Sequence, residues 1–288
     1  MTKILSIDVG ATSIKYSIIS DGHLGDVFEM PSEAYKGGPH LVNKILSIID
    51  SMSGFSKIAI STSGQVDVKK GRVVYADSNI PNYSGTELKE IVANHTGLSD
   101  VVVDNDVNCA ALGELYYGAG RDCPNFLCFT IGTGIGGAIV IDGKIYRGSH
   151  SVAGEFGNMR VIDIDGKEKV FQDIASTKAL VRRVNETCLD LRCSSGRQVM
   201  EYYYTDERVR SVMDCWIEDM AKGLGNIVNI IDPQKVILGG GIMENDIISY
   251  RVDKRIRDYL CPSVVDVVVQ KAERGNNAGM LGAYSLLQ

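Results

Sequence analysis

Apolar residues follow two spacings along this chain. Short runs such as ILSI, IAI, VVV, FLCF, AIVI and VIL have the length and β-branched content of strands. Leu41, Ile45, Ile48 and Ile49 instead recur at helical spacing, the stripe of an amphipathic helix. Read in order, the pattern predicts strands over 3–8, 13–19 and 24–30, a helix over 39–52, and strands over 57–62 and 72–76. A helix opened by Thr86 and ended by Gly97 follows, then a strand over 101–104 that runs into a helix beginning near Asp106. The second half predicts strands over 126–131 and 136–141, helices over 171–189, 197–204 and 210–231, and a strand over 235–238. A helix near 244–260, a strand over 264–270 and a closing helix over 278–287 end the chain.

This alternation is that of an α/β protein. Each half opens strand, glycine-rich turn, strand, and continues with helices and strands, which reads as a diverged internal duplication. The boundary falls near 106–118. It gives a small N-terminal domain of 1–115 plus 276–288, with the last helix packed back on it, and a larger C-terminal domain of 116–275. Two such halves facing each other would leave a cleft into which both glycine turns open.

Composition narrows the class. The 288 residues suffice for two domains, and 44% hydrophobic with 23% charged residues describes a soluble globular chain. A net charge of −6 argues against a nucleic-acid partner. Asp8 interrupts the apolar start, so no signal peptide is expected, and no apolar run is long enough for a membrane span. Seven cysteines, odd in number and without CxxC spacing, suit a reducing cytoplasm and small buried side chains. The four histidines are isolated, and none is assigned to catalysis.

Three segments carry candidate chemistry. IDVGATS sets Asp8 at a strand end before Gly10 and Thr12. Gly10 permits a tight turn whose N–H groups point at a phosphate, Thr12 adds a hydroxyl, and Asp8 suits the water shell of Mg²⁺. An ordinary hairpin with glycine at positive φ explains the loop equally well. TIGTGIGG concentrates Gly132, Thr133 and Gly134 with further glycines. It has no Gly-Lys-Ser/Thr, and a strand follows where a dinucleotide fingerprint needs a helix. So many glycines cost chain entropy, which favours an anion-binding loop over a plain turn. VDNDVNCAALGE places Asn105 and Asp106 where a strand gives way to a helix, the usual place of catalytic groups in α/β enzymes. Asp106 is suited to accept the hydroxyl proton of an alcohol as phosphate arrives; the alternative is that Asp104 or Asp106 caps the helix. VILGGGIM and AGMLGA read first as structural, although the triple glycine also admits an adenosine against backbone.

Taken in order, IDVGATSIK, SGQVDVKKGRVVYADSNIP, DNDVNCAALGE, FTIGTGIGGAIV, AGEFGNM, IASTKAL, VILGGGI and AGMLGA resemble the ROK family of bacterial sugar kinases and sugar-responsive repressors, from Lys3 to the last helix. The resemblance implies an actin-like (hexokinase/Hsp70-type) ATPase fold, with two domains and a duplicated sheet core around a cleft. It places Asp8, Gly10, Ala11, Thr12, Lys15, Gly132, Thr133 and Gly134 on the phosphates of ATP, with Mg²⁺ held by Asp8 through water. Gly239, Gly240 and Gly241 fall on the adenosine side. Asp106 becomes the base for a sugar 6-hydroxyl, and Asn79, Asn105 and Glu155 become sugar ligands. The family also implies a cytoplasmic homodimer.

Two departures qualify it. Asn158 stands where the family has a histidine that helps bind both sugar and a structural zinc. The following CxCGxxGCxE stretch is replaced by VIDIDGKEKVFQD, which has no cysteine and puts Gln172 at the place of a sugar-binding glutamate. No zinc is expected, and the sugar pocket is changed at Asn158 and Gln172. The zinc-less branch includes glucoside kinases and N-acetylmannosamine kinases. The expected activity is therefore ATP-dependent phosphorylation of the 6-hydroxyl of a hexose, glucose or a glucoside first and N-acetylmannosamine as the alternative. A non-catalytic sugar-sensing protein is the reading of another class. Family repressors carry a helix-turn-helix ahead of the first loop, and a first strand starting at Lys3 leaves no room for one.

Overall fold

The computed structural model describes residues 2–163, 165–264 and 266–288. The chain forms two compact units. One comprises the chain up to Arg121, Ile145–Ala153 and Asn276–Gln288; the other comprises Asp122–Lys144 and Gly154–Gly275.

The first unit holds β1 (Ile4–Val9), β2 (Ser13–Ser20), β3 (His23–Leu24), β4 (Phe28–Pro31), β5 (Lys57–Thr62), the hairpin β6 (Gln65–Asp67) and β7 (Arg72–Tyr75), and β8 (Val101–Asn105). Its helices are α1 (Gly38–Ser51), α2 (Leu88–Thr96) and α3 (Asp106–Tyr117), with the closing helix Ala278–Ser285. The sheet runs β3–β2–β1–β5–β8, with β4 also on β2. β1 pairs antiparallel with β2 and parallel with β5, and β5 pairs parallel with β8.

Strand periodicity sorts the side chains of β1 to two faces. Leu5, Ile7 and Val9 join Leu41, Ile45, Ile58, Ile60 and Val103 in one core. Ile4 lies in a second cluster with Ala59, Cys109, Met280 and Tyr284. Ser6 and Asp8 alternate onto that same second face. There Ser6 Oγ donates to the Met280 carbonyl at 2.7 Å.

The second unit repeats the plan with β9 (Phe126–Ile131), β10 (Ile135–Ile141), β11 (Lys144–Tyr146, of which Lys144 is this unit's boundary residue), β12 (Arg160–Ile162), β13 (Glu168–Val170), β14 (Lys235–Gly239) and β15 (Val268–Lys271). Its sheet runs β11–β10–β9–β14–β15. Again an antiparallel hairpin, β9–β10, continues into parallel partners, β14 and β15. This is the duplicated sheet of the actin-like ATPase fold. Helices α4 (Phe171–Ala175), α5 (Thr177–Thr187), α6 (Gly196–Tyr203), α7 (Glu207–Ile231) and α8 (Asp246–Ile256) complete the unit, and the closing helix is α9.

The elements differ from the pattern in a few places. The helix expected over 171–189 breaks at Ser176, which is extended (φ −74°, ψ 162°). Its Oγ caps α5 by accepting from the Ala179 N–H, and the Trp216 indole donates to its carbonyl. The strand expected over 264–270 is Val268–Lys271, and Val265 within it lies outside the described residues. Among the described residues no helix is long and apolar enough to cross a membrane.

AGMLGA serves helix packing. A Cβ on Gly282 of α9 would collide with the Cys109 carbonyl of α3, and one on Gly113 would collide with the Ala278 carbonyl. Gly282→Ala must therefore part the two helices. We expect a loss of ~1–3 kcal/mol, read as a lowered Tm in a thermal melt. An unchanged Tm would show that the helices separate without cost.

Candidate functional site

In the first unit the chemistry gathers at the carboxyl ends of β1, β5 and β8. Asp8, near the end of β1, accepts from Ser61 Oγ at 2.5 Å and lies against Gly279 at the start of α9, where a Cβ would stand 2.6 Å from its carboxylate. Asp8 keeps some accessible surface, yet protein rings it closely enough that loss of solvation raises its pKa against the opposing pull of Ser61 and Lys15. Lys15 sits directly opposite Asp8 in the β1–β2 register.

β8 delivers Asp104, Asn105 and Asp106 in succession. The cap of α3 is Asn105, not Asp104 or Asp106: its Oδ1 accepts from the Val107 and Asn108 N–H groups, both at 3.0 Å. Its amide donates to the Gly64 carbonyl and to Asp106 Oδ1, each at 2.9 Å. All four hydrogen-bonding positions of that carboxamide are thus engaged within the protein. A sugar hydroxyl would have to displace one of them.

Asp106, the first residue of α3, also accepts from the Val107 N–H at 2.9 Å and, on Oδ2, from Ser63 Oγ at 2.9 Å. Asp104 is buried and takes a bidentate ion pair from Arg147 at 2.8 and 2.6 Å, which ties the 145–153 segment to this unit. Cys109 lies behind these groups. Burial first, and then Asp104, Asp8 and Asp106, push its thiol well up.

The loop after β1 departs from expectation in detail. Gly10 is not left-handed, and its N–H is spent on the Ser13 carbonyl at 3.0 Å. The Ala11 and Thr12 carbonyls instead accept from Ser32, at 2.7 and 3.0 Å. In a trans peptide the next N–H points away from the carbonyl, so the N–H of Thr12, an exposed residue, faces away from Ser32.

Asn79 is exposed in the loop after β7, and its amide donates to Asp77 at 2.8 Å.

In the second unit the β9–β10 loop uses the same device. The Gly132 carbonyl accepts from the Lys178 N–H at 3.3 Å, which turns the Thr133 N–H away from α5. A side chain at Gly132 would meet nothing within 4 Å, whereas a Cβ on Gly134 would stand 2.7 Å from Gln172 Oε1. Gln172 Nε2 donates to Asn158 Oδ1 at 3.4 Å, and Asn158 Nδ2 donates to Glu155 Oε2 at 3.2 Å. The two positions that depart from the family thus touch each other and the glutamate.

Asn158 and Gln172 flank the β12–β13 hairpin, whose turn is closed by Asp163 accepting from the Asp165 and Lys167 N–H groups at 3.0 and 2.8 Å. Gly240 is left-handed (φ 103°) beside the Ile131 backbone, and Gly241 borders open space. Among the described residues no three or more His, Cys, Asp or Glu side chains gather into a metal-binding group.

Ser61, Ser63 and Arg147 belong to the site and are not singled out by sequence reasoning. The signal for the serines is their alternation, which turns both hydroxyls to the Asp8 face of the sheet.

Comparison with known proteins agrees with the fold. The ROK family model matches residues 4–288, and the chain belongs to this family. It is 41% identical over 286 residues to an uncharacterised protein of Clostridium perfringens, covering 96% of this chain and 95% of that one. It is 29% identical to a beta-glucoside kinase of Listeria monocytogenes, over 99% of this chain and 98% of the relative. The crystal structure of a ROK family glucokinase from Streptomyces griseus, in complex with glucose and AMPPNP, superposes with a TM-score of 0.85 at 28% identity, covering 99% of this chain and 98% of that one.

Proposed function

We propose that this chain is a kinase that uses ATP and Mg²⁺ to phosphorylate the 6-hydroxyl of a hexose, first of all glucose or a glucoside. The Asp106 carboxylate carries the reading: it opens α3 directly after the parallel strand β8 and is oriented by Ser63, Asn105 and the Val107 N–H. A carboxylate so held takes the hydroxyl proton as the hydroxyl oxygen bonds to the γ-phosphorus; the bond to the β–γ bridging oxygen breaks and ADP leaves. The beta-glucoside kinase relative and the glucose and AMPPNP complex support this chemistry.

Asp8, Gly10, Ala11, Thr12 and Lys15 are assigned to phosphate, with Thr12 offering its amide. Gly132, Thr133 and Gly134 are assigned likewise. Asp8 fits Mg²⁺ held through water, because such an ion takes one or two carboxylates and draws the rest of its shell from phosphate and water. When bound, the ion would offset phosphate charge. Gly239 to Gly241 take the adenosine side. Asn79, Glu155, Asn158 and Gln172 take sugar hydroxyls, and Asn105 joins them by exchanging its bond to the Gly64 carbonyl. The reading includes a zinc-free cytoplasmic homodimer that binds neither nucleic acid nor membrane.

The test is ADP release with glucose, cellobiose, mannose and N-acetylmannosamine. A carboxylate makes stronger bonds to hydroxyls than an amide, whereas an amide can also donate and tolerates a substituent. Gln172→Glu should therefore raise the kcat/KM ratio of glucose over N-acetylmannosamine by ~5–10-fold. An unmoved ratio would remove Gln172 from the choice of sugar. Sugar binding without ADP release would return the non-catalytic, sugar-sensing alternative.

A further inference from the structure

The end of β5 and the residue after it read Ser61-Thr62-Ser63, three successive hydroxyls, and each holds a different group. Ser61 Oγ donates to Asp8 Oδ1 at 2.5 Å, and Ser63 Oγ donates to Asp106 Oδ2 at 2.9 Å. Thr62, buried on the opposite face, meets the Tyr83 hydroxyl at 2.9 Å. Side chains alternate along an extended strand, so Ser61 and Ser63 must share a face and Thr62 must take the other. The Ser63 N–H continues the ladder beyond the strand by donating to the Val9 carbonyl at 3.1 Å, which fixes the backbone that carries the hydroxyl. Two carboxylates far apart in sequence are thereby referenced to one short rigid segment.

From this geometry we infer that Ser63 is the positioning residue for Asp106, orienting its carboxylate for proton transfer from the acceptor hydroxyl. The inference rests on Asp106 being the base. Asn105 and the Val107 N–H hold Oδ1. Ser63 donates to the other oxygen and so helps to set the plane of the carboxylate. Its alternative acceptor, the Val9 carbonyl, lies at 3.4 Å, so the bond to Asp106 is the better one. A misdirected base costs rate without weakening nucleotide binding, because Ser63 is assigned no part in holding phosphate.

The experiment compares the natural protein with Ser63→Ala, Ser63→Thr, Asp106→Asn and Ser63→Ala/Asp106→Asn, using MgATP and whichever of glucose, cellobiose, mannose and N-acetylmannosamine is turned over fastest. Ser63→Ala should lower kcat ~10–100-fold with KM for ATP and Tm nearly unchanged, and Ser63→Thr, which keeps a hydroxyl, should recover most of the loss. In the Asp106→Asn background Ser63→Ala should have no further effect, because the two act as one unit. Full kcat in Ser63→Ala, or an equal loss in both backgrounds, would overturn the inference while leaving Asp106 as the base. Near-natural turnover by Asp106→Asn would instead overturn the base assignment and the inference with it, as would turnover of none of the four sugars by the natural protein.

Discussion

Asp106→Asn should lower kcat by ~10²–10⁴-fold, the usual worth of a general base. The substitution isolates the chemistry because the structure dictates how asparagine must sit. Oδ1 of Asp106 receives two donors, the Asn105 amide and the Val107 N–H, so the replacement keeps its carbonyl oxygen there. Its NH₂ then falls at Oδ2, where the Ser63 hydroxyl rotates from donor to acceptor. The helix start, the cap by Asn105 and the bidentate Asp104–Arg147 pair remain in place. Tm and the stabilisation by MgADP should therefore match those of the natural protein while turnover collapses. Turnover near the natural value would return Asp106 to a structural part of the α3 start.

Much of the fold was legible because both periods in the sequence are physical. The largely apolar runs at 4–7 and 126–129 are central strands, and the Leu41–Ile49 stripe is the buried face of α1. The paired hairpins repeat because one folding unit occurs twice, and a glycine-rich turn marks each. The detail of the turn at Gly10 was not legible. A sequence cannot say which loop atoms are already spent, and there the amide is used internally while Ser32 turns the following carbonyls.

Other parts were hidden for a related reason. Asn105, Asp104 and Asp106 all suit a helix cap by residue type, and only the observed bonds decide among them: Asn105 Oδ1 takes the Val107 and Asn108 N–H groups, while Asp104 is taken by Arg147. That partner lies 43 residues on, beyond a boundary that composition does not mark. Ser176 breaks a periodic helix because its hydroxyl caps the next turn, a local competition that apolar spacing does not register. Ser61 and Ser63 look like neutral strand residues until the alternation of β5 is set against the carboxylates it faces.

Asp8→Asn should abolish most turnover and at the same time raise Tm at neutral pH. Burial raises the pKa of Asp8, with Ser61 and Lys15 pulling against it, so the folded state favours the protonated acid relative to an ordinary aspartate. A raised folded-state pKa gives stability that is full below the unfolded value, about 4, and is lost as pH rises through the folded value. The natural protein therefore carries a growing penalty from acid toward neutral pH, and asparagine, which keeps an acceptor for Ser61, does not titrate. The Tm difference between variant and natural protein should be near zero around pH 4 and should widen toward pH 7. With Mg²⁺ at Asp8, as proposed, the penalty would have a use: a cation would stabilise the desolvated carboxylate, so MgADP should raise the Tm of the natural protein more than that of the variant. The loss of turnover should be ~10²–10³-fold, in line with removing an electrostatic contributor from a phosphoryl-transfer site. Thermal melts of both proteins across this pH range, with and without MgADP, are the check. A Tm difference constant with pH would overturn the desolvation of Asp8, and equal stabilisation of both proteins by MgADP would place the cation elsewhere than at Asp8.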